Sequence, residues 1–186
     1  MHVDGKGLVS AARQALSPNH DERPDGGDIT LLVVHSISLP PGRFGGGAVE
    51  ALFGNALEYS EHPYFEQLRG LRVSAHFFIR RNGELIQFVS CDRRAWHAGQ
   101  STWKGRERCN DFSIGVELEG ADDQPFADLQ YLVLARLALA LKSRYPIEDL
   151  VGHADIAPGR KTDPGPFFDW GYFRGLLATA SSLGAL

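Results

Sequence analysis

The feature that most constrains the fold of this sequence is a hairpin signal near its centre. Asn82-Gly83 lies between two runs rich in β-branched, aromatic and other apolar residues, 74–81 and 84–90. An Asn-Gly pair between two such runs is typical of a tight turn in which both central residues take positive φ. The sequence therefore predicts two adjacent antiparallel strands joined by this turn.

Segments on both sides of the hairpin predict further strands and helices. Strands are expected at 30–36, 113–119 and 150–151, and helices at 48–57, 128–144 and 169–180, the last with Asp169 as its N-cap. Residues 152–166 are rich in Pro and Gly and predict a long loop. In the helix 128–144, apolar residues at helical spacing predict the buried face, namely Leu129, Leu132, Val133, Leu137, Ala140 and Leu141.

These elements predict an α/β (α+β) fold, in which a mixed central β-sheet is flanked by helices. The chain of 186 residues has the length of one domain and contains no internal repeat or low-complexity segment. We therefore expect a single domain over 1–186. Its residues 1–29 are expected to be an irregular lead-in, and its core to span about 30–180.

The charge balance excludes some classes of partner. Lys and Arg number 19 against 23 Asp and Glu, which gives a net charge of −4, and nucleic-acid binding normally requires a basic face. No signal-like segment or long apolar run is present, so no membrane association is expected. Cys91 and Cys109 show no CxxC spacing, and reduced thiols are favoured over a disulfide. A cytoplasmic location is the expectation.

The seven histidines differ in their sequence context. His2, His20 and His62 lie in polar or loop surroundings and are expected to be solvated. His35 ends the predicted strand 30–36, where it shares one face with two apolar residues. Its imidazole therefore lies where the buried apolar part of the strand ends. It is either a hydrogen-bonded histidine at a strand end or a functional group.

His153 and Asp163 lie within the loop 152–166. Loops whose backbone is restricted by several prolines are often functional. Two histidines and one carboxylate that leave one position open are the ligands of a catalytic zinc. The spacing alone does not decide, because many such triples occur by chance in this composition. Glu117 lies on the strand 113–119, opposite its apolar face, either beside open space left by small residues or on a solvated edge.

Several segments in order along the chain carry a family pattern. They are Val33-Val34-His35, Ile37 to Gly42, Val73-Ser74-Ala75-His76, Ala95-Trp96-His97-Ala98-Gly99, Gly105 to Asp111, Ser113 to Gly120, Gly152-His153 and Lys161 to Pro166. Together, over roughly 30–172, they resemble the type 2 N-acetylmuramoyl-L-alanine amidases, a family that includes phage amidase lysozymes and peptidoglycan recognition proteins. The closer resemblance is to the AmpD type, the cytoplasmic 1,6-anhydro-N-acetylmuramyl-L-alanine amidases of cell-wall recycling.

The resemblance implies a zinc amidase, or peptidoglycan-recognition-like, fold and a set of site residues. His35, His153 and Asp163 correspond to ligands of a zinc ion (Zn2+), Glu117 to the general base, and Lys161 to the residue that stabilises the oxyanion. The implied reaction is hydrolysis of the amide bond between (anhydro-)N-acetylmuramic acid and L-alanine in muropeptides. The muropeptide is the expected partner, and a monomer is the expected state.

Substrate contacts are expected from side chains around these residues. Arginine matches carboxylate geometry and tryptophan offers an apolar platform for a sugar ring, although surface arginines and core tryptophans are the alternative. The candidates are Arg108, Arg106, Arg72, Trp96, Trp103, His97 as a groove-lining residue, and Ser36. Ser36 departs from the pattern, because many AmpD-type sequences have Asn there. The segment 39–71 is expected to move about its glycine-rich part.

Three other functions remain open from the sequence. The first is a non-catalytic module that binds peptidoglycan fragments with the same fold. The second is a periplasmic amidase acting on the intact sacculus, which would carry a secretion signal. The third is a zinc peptidase of ordinary peptide bonds, although no HExxH motif is present.

Overall fold

The computed structural model describes residues 1–24 and 28–182. Its strands are β1 (Arg13–Gln14), β2 (His20–Glu22), β3 (Leu31–Ile37), β4 (Phe77–Ile79), β5 (Leu85–Gln87), β6 (Arg93–Ala95), β7 (Thr102–Trp103), β8 (Arg106–Glu107), β9 (Ser113–Glu119) and β10 (Asp149–Gly152). Its helices are α1 (Ala48–Phe53), α2 (Asp128–Lys142), α3 (His153–Ile156) and α4 (Trp170–Ser182), with short 3-10 helices at Tyr59–Glu61, Pro63–Leu68 and Cys109–Asp111.

Within the described ranges, six strands form the central sheet in the order β1-β5-β4-β9-β3-β10. The neighbours β4, β9, β3 and β10 are parallel, whereas β5 runs antiparallel to β4. Apolar residues of α2 and α4 pack against one face of this sheet. On the other face, α1 and the segment 63–68 cover one half, and α3 with the segment 98–112 covers the other. The predicted mixed sheet flanked by helices is confirmed.

The predicted hairpin is present, but its turn is of another type. Gly83 has φ of +83°, whereas Asn82 is not among the residues with positive φ in the described ranges. Gly83 N–H donates to the Arg80 carbonyl at 2.9 Å, and Arg80 N–H donates to the Glu84 carbonyl at 2.9 Å. This is a three-residue loop with a glycine bulge. Asn82 instead accepts from the Glu84 N–H through its side chain at 3.0 Å, which favours this geometry.

The buried face of α2 agrees with the prediction at Leu137, Ala140 and Leu141 and differs from it at Leu129 and Leu132. Leu129 and Leu132 are 52% and 41% exposed, whereas Gln130 and Leu134 are fully buried. The Gln130 amide donates to the carbonyls of Ile79 and Glu119 at 3.0 and 3.1 Å, at the ends of two neighbouring strands. These two bonds orient the helix about its axis, so the polar residue faces the sheet and the two leucines face outward.

The described part of the lead-in 1–29 contains two short strands, so the prediction of an irregular lead-in is wrong there. Its β1 extends the central sheet by pairing with β5, and its β2 pairs with β6 in a separate two-stranded sheet. Residues 25–27 of this lead-in lie outside the described residues. The loop 152–166 likewise contains one helical turn, α3, whose N-terminus is capped by Asp155 accepting from the Gly152 N–H at 2.7 Å.

The predicted bounds of β9, the predicted start of α4 and the predicted free thiols are confirmed. β9 has the expected bounds, and α4 begins as expected, with Asp169 accepting from the Tyr172 N–H at 2.8 Å. Cys91 and Cys109 are buried free thiols. No helix in the described part of the chain combines the length and apolar character needed to cross a membrane.

The orientation of α2 makes a testable prediction. Leu134→Ala removes a fully buried side chain and is expected to lower the free energy of unfolding by about 2–5 kcal/mol. Leu132→Ala removes a partly exposed side chain of the same type and is expected to cost less than about 1 kcal/mol. Urea denaturation of both variants measures the difference, and a larger loss for Leu132→Ala would contradict this orientation.

Candidate metal and catalytic site

The site begins with the register of three parallel strands. In the pairing of β3 with β9, His35 lies directly opposite Glu117. In the pairing of β10 with β3, Gly152 lies opposite Val34, and His153 follows at once as the first residue of α3. Paired residues of parallel strands point to the same face. His35, Glu117 and His153 therefore meet at the carboxyl edge of the sheet, where open α/β sheets bind ligands.

Asp163 completes a cluster of possible metal ligands with two of these residues. The Nδ1 atoms of His35 and His153 lie 2.9 Å apart, and Asp163 Oδ2 lies 3.1 Å from each of them. With one ligand atom taken from each residue, the three atoms lie within 4.8 Å of one another. The loop carrying Asp163 is tied to α3, because the Ala154 N–H donates to the Asp163 carbonyl at 2.9 Å.

The charge states of these side chains suit a cation. Burial lowers the pKa of His35 to about 4, which keeps its imidazole neutral at neutral pH. Burial raises the pKa of Asp163, but the adjacent imidazoles of His153 and His35 outweigh this and hold that pKa below its usual range. A neutral imidazole and an ionised carboxylate are the forms that bind metals. This donor set fits a divalent cation such as zinc.

Glu117 lies next to this cluster and has an unpaired oxygen. Its Oε2 atom is buried and has no hydrogen-bond partner within the described part of the chain. Burial raises the pKa of Glu117 well above its usual value, and the negative charge of Asp163 adds to the rise, whereas Lys161 opposes it. Its carboxylate is therefore suited to accept a proton from a bound molecule.

Ser113 and Gly115, the small residues that precede Glu117 on the same face of β9, do not leave open space beside it as the sequence suggested. A Cβ atom at Gly115 would lie 2.4 Å from Cγ of His97, so this imidazole fills the space. Ser113 Oγ lies 3.1 Å from His97 Nε2. The small residues of this strand accommodate the His97 ring.

The site lines one wall of a cavity of about 620 Å³. Residues of the segment 36–41, of α1 and of the segment 64–75 form the other walls. The cavity contains most of the predicted residues, namely His35, Ser36, Arg72, Trp96, His97, Glu117, His153, Lys161 and Asp163. A volume of this size is typical of a small-molecule site.

Three predicted substrate contacts do not line this cavity. The Arg106 guanidinium lies over the Phe112 ring, 3.9 Å from its centroid. Arg108 Nε lies 3.2 Å from Asp111 Oδ2, although its side chain is largely exposed. Trp103 donates through its indole N–H to Asp149 at 2.9 Å and packs against the core beneath α3. A cation–π contact, an ion pair and a hydrogen bond thus hold Arg106, Arg108 and Trp103 elsewhere in this structure.

Sequence reasoning did not single out three polar side chains that support the site. Asn110 accepts from two backbone N–H groups of the 97–98 segment, and Arg160 donates to the carbonyls of Ala98 and Gln100. Asp122 accepts from the hydroxyls of Ser36 and Thr162, and so joins the end of β3 to the loop that carries Asp163. Asn110 was within a family segment, but its role depends on contacts that only the fold creates.

Comparison with known proteins agrees with this fold. Residues 25–166 match the family model described as N-acetylmuramoyl-L-alanine amidase. The 1,6-anhydro-N-acetylmuramyl-L-alanine amidase AmpD of Citrobacter freundii is 54% identical over 178 residues, which covers 95% of each chain. The crystal structure of a selenomethionine derivative of AmpD is 55% identical, with a TM-score of 0.93 over 95% of this chain and 99% of that chain.

A more distant solved relative shows a bound substrate. It is the amidase AmiD of E. coli in complex with anhydro-N-acetylmuramic acid-L-Ala-D-gamma-Glu-L-Lys, 31% identical with a TM-score of 0.59, covering 83% of this chain and 60% of that chain. The family match extends from before β3 to the loop that follows Asp163, and so includes every residue of the metal cluster. This chain belongs to the N-acetylmuramoyl-L-alanine amidase family.

Proposed function

We propose that this chain is a zinc-dependent amidase that hydrolyses the bond between anhydro-N-acetylmuramic acid and L-alanine of the stem peptide. The observation that carries this proposal is the convergence of His35, His153 and Asp163 beside Glu117 in one cavity. The printed names of the AmpD relatives and the substrate held by AmiD support the choice of bond. Cytoplasmic muropeptides released during peptidoglycan recycling are the proposed substrates.

His35, His153 and Asp163 would hold the zinc ion through two nitrogens and one oxygen. Two neutral ligands and one anionic ligand leave the ion with a net positive charge. When bound, zinc supplies Lewis acidity, which polarises an amide carbonyl and makes water a better nucleophile at neutral pH. All three ligands come from one chain, which is consistent with action as a monomer.

Glu117 is the proposed general base and acid. Its buried, unpaired Oε2 can accept a proton from the attacking water, because burial favours the protonated carboxyl. The same carboxyl then delivers that proton to the alanine nitrogen as the amide bond breaks. The two transfers return Glu117 to its starting state and produce a free amine on the peptide.

Lys161 is the proposed stabiliser of the oxyanion. It lines the same cavity, and its charge acts on Glu117 and on His35. Its position is fixed by a backbone hydrogen bond from its N–H to the Ala157 carbonyl at 3.0 Å, in the loop that follows α3. An ammonium group placed there favours the negative charge that develops on the carbonyl oxygen during attack.

The remaining cavity would bind the sugar and the peptide. Trp96 offers an apolar surface for a sugar ring, and Ser36 offers a hydroxyl that Asp122 orients. Arg72 supplies a guanidinium for a peptide carboxylate. Arg108 stays a proposed contact for the peptide, but in this structure it pairs with Asp111.

The alternative function is a binding module of the same fold without catalysis. The presence of the three ligand candidates together with Glu117 and Lys161 favours the enzyme, because binding needs neither a base nor an oxyanion partner. A zinc protein that releases no peptide from a muropeptide would be such a module. A protein that cleaves plain tripeptides as readily would be a peptidase.

Removal of a metal ligand should abolish both zinc binding and activity. Wild type is expected to hold about one zinc per chain and to release peptide from anhydro-muropeptide, whereas Asp163→Ala loses both, because two histidines alone leave the ion poorly held. Zinc analysis and chromatography of the released peptide measure this. Asp123→Ala, an exposed carboxylate outside the cavity, is the control. Cleavage by a metal-free wild type would refute the ligand assignment.

Replacement of the proposed base should separate catalysis from metal binding. Glu117→Gln keeps the side-chain volume and removes the proton acceptor, so kcat should fall by about 10²- to 10⁴-fold while the zinc content stays at the wild-type level. Steady-state kinetics and zinc analysis of the same preparation test this. Glu107→Gln, on the exposed strand β8, is the matched control. An unchanged kcat would remove Glu117 from the mechanism.

Arg72 should act on substrate affinity. Arg72→Ala is expected to raise KM for an anhydro-muropeptide by about 10-fold or more, because a hydrogen bond to a charged group contributes about 1.5–3 kcal/mol. KM for anhydro-N-acetylmuramyl-L-alanine, which lacks the rest of the peptide, should change less. Arg106→Ala is the control, since its guanidinium lies over Phe112 outside the cavity. Equal changes for both substrates would argue against contact with the longer peptide.

A further inference from the structure

In His35 and His153, the two histidines of the metal cluster, the second ring nitrogen contacts one of two consecutive residues, His97 and Ala98. His35 Nε2 lies 2.9 Å from Nδ1 of His97, and His153 Nε2 lies 3.1 Å from the carbonyl oxygen of Ala98. Both Nδ1 atoms face the cluster, and both Nε2 atoms face the segment 97–98. One short stretch of chain therefore contacts both imidazoles from behind.

These contacts determine which nitrogen carries the proton. The Ala98 carbonyl can only accept, and it lies nearer to His153 Nε2, at 3.1 Å, than the donating Arg160 guanidinium does, at 3.5 Å. The nearer contact assigns the proton to Nε2, which leaves the Nδ1 lone pair of His153 for the cluster. His97 does the same for His35 if its Nδ1 is the acceptor, which places its own proton on Nε2. That proton is then donated to Ser113 Oγ at 3.1 Å. The chain of bonds from His35 to Ser113 is thus complete and consistent.

A single side chain fixes the segment 97–98 in place. Asn110 Oδ1 accepts from the His97 N–H at 3.2 Å and from the Ala98 N–H at 2.8 Å. The Asn110 carbonyl is in turn held by the guanidinium of Arg23 at 3.1 Å. Asn110 therefore positions both acceptors, although it touches neither member of the histidine pair.

We propose that His97 and Asn110 are positioning residues of the metal site. His97 holds the His35 tautomer, and Asn110 holds the segment that serves both imidazoles. The inference rests on the proposed zinc site and assigns His97 a role other than the substrate contact expected from the sequence. Partners of this kind orient ligating histidines, and their loss typically weakens metal binding about 10- to 100-fold.

A packing role for His97 makes the opposite prediction, and two variants separate the roles. His97→Leu places an apolar side chain of similar size against Gly115 and removes the acceptor. His97→Asn keeps an oxygen at the position of Nδ1 but leaves a space where the ring was. If His97 acts through hydrogen bonding, His97→Leu lowers zinc affinity and His97→Asn preserves it. If His97 acts only by packing, His97→Asn is the more damaging variant for both zinc affinity and stability.

The experiment is a competition titration of zinc against a chromophoric chelator, paired with thermal unfolding of the zinc-free proteins. The zinc Kd of His97→Leu should rise about 10- to 100-fold, and that of His97→Asn should stay near wild type. Leu134→Ala, buried in α2 away from the site, is the control that lowers Tm without raising Kd. An unchanged Kd in His97→Leu would overturn the proposal.

Asn110 gives a second pair of variants that tests the proposal even if His97→Leu does not fold. Asn110→Asp retains an acceptor for both N–H groups and should bind zinc more tightly than Asn110→Ala. Equal zinc affinity of these two variants would overturn the role of Asn110. If wild type binds zinc and every variant binds it with the wild-type Kd, this inference is wrong and the proposed function stands. If wild type binds no zinc, the proposed function is wrong as well.

Discussion

The parallel pairing of β3 between β9 and β10 is the constraint on which the site depends. Backbone hydrogen bonds set this register, and they place His35 opposite Glu117 while ending β10 one residue before His153. A shift of one residue in either pairing would turn these side chains to the opposite face, into the core beneath α2 and α4. The apolar residues of the same strands resist such a shift, because each of them would leave its own core. Packing thus determines the geometry of the polar groups.

Burial at this sheet edge has a free-energy cost that the chain offsets in different ways. Two imidazole nitrogens 2.9 Å apart beside a carboxylate form a stable arrangement only with a proton or a cation between them. Asp163 supplies the negative charge, and the segment 97–98 takes up the remaining ring nitrogens. Glu117 keeps one buried oxygen without a partner in the described part of the chain. Such a group is costly for folding, and it is suited to accept a proton from an attacking water, as the proposed base must.

Local patterns predicted much of the fold, and contacts between distant segments account for the rest. The bounds of β9 and the Asp169 cap depend on neighbouring residues, so the sequence could show them. The buried face of α2 depends on hydrogen bonds from Gln130 to the ends of two strands, and helical periodicity in the sequence cannot reveal these contacts. The metal cluster came from a family pattern, since spacing alone left many triples open. Arg106 and Trp103 were chosen by residue type, but their position depends on Phe112 and Asp149.

Gly115 shows how a strand residue can be selected by the side chain of another segment. Glycine weakens a strand relative to residues with a Cβ, and its neighbours in β9 are of the strand-forming kind. A redesign guided by strand propensity would therefore replace Gly115 early, and an alanine there would meet the His97 ring at 2.4 Å. The ring would be displaced from behind His35, so a change that improves the local sequence for a strand would damage a histidine pair on β3 and α3. Stabilising substitutions in this protein must be chosen with the position of His97 in view.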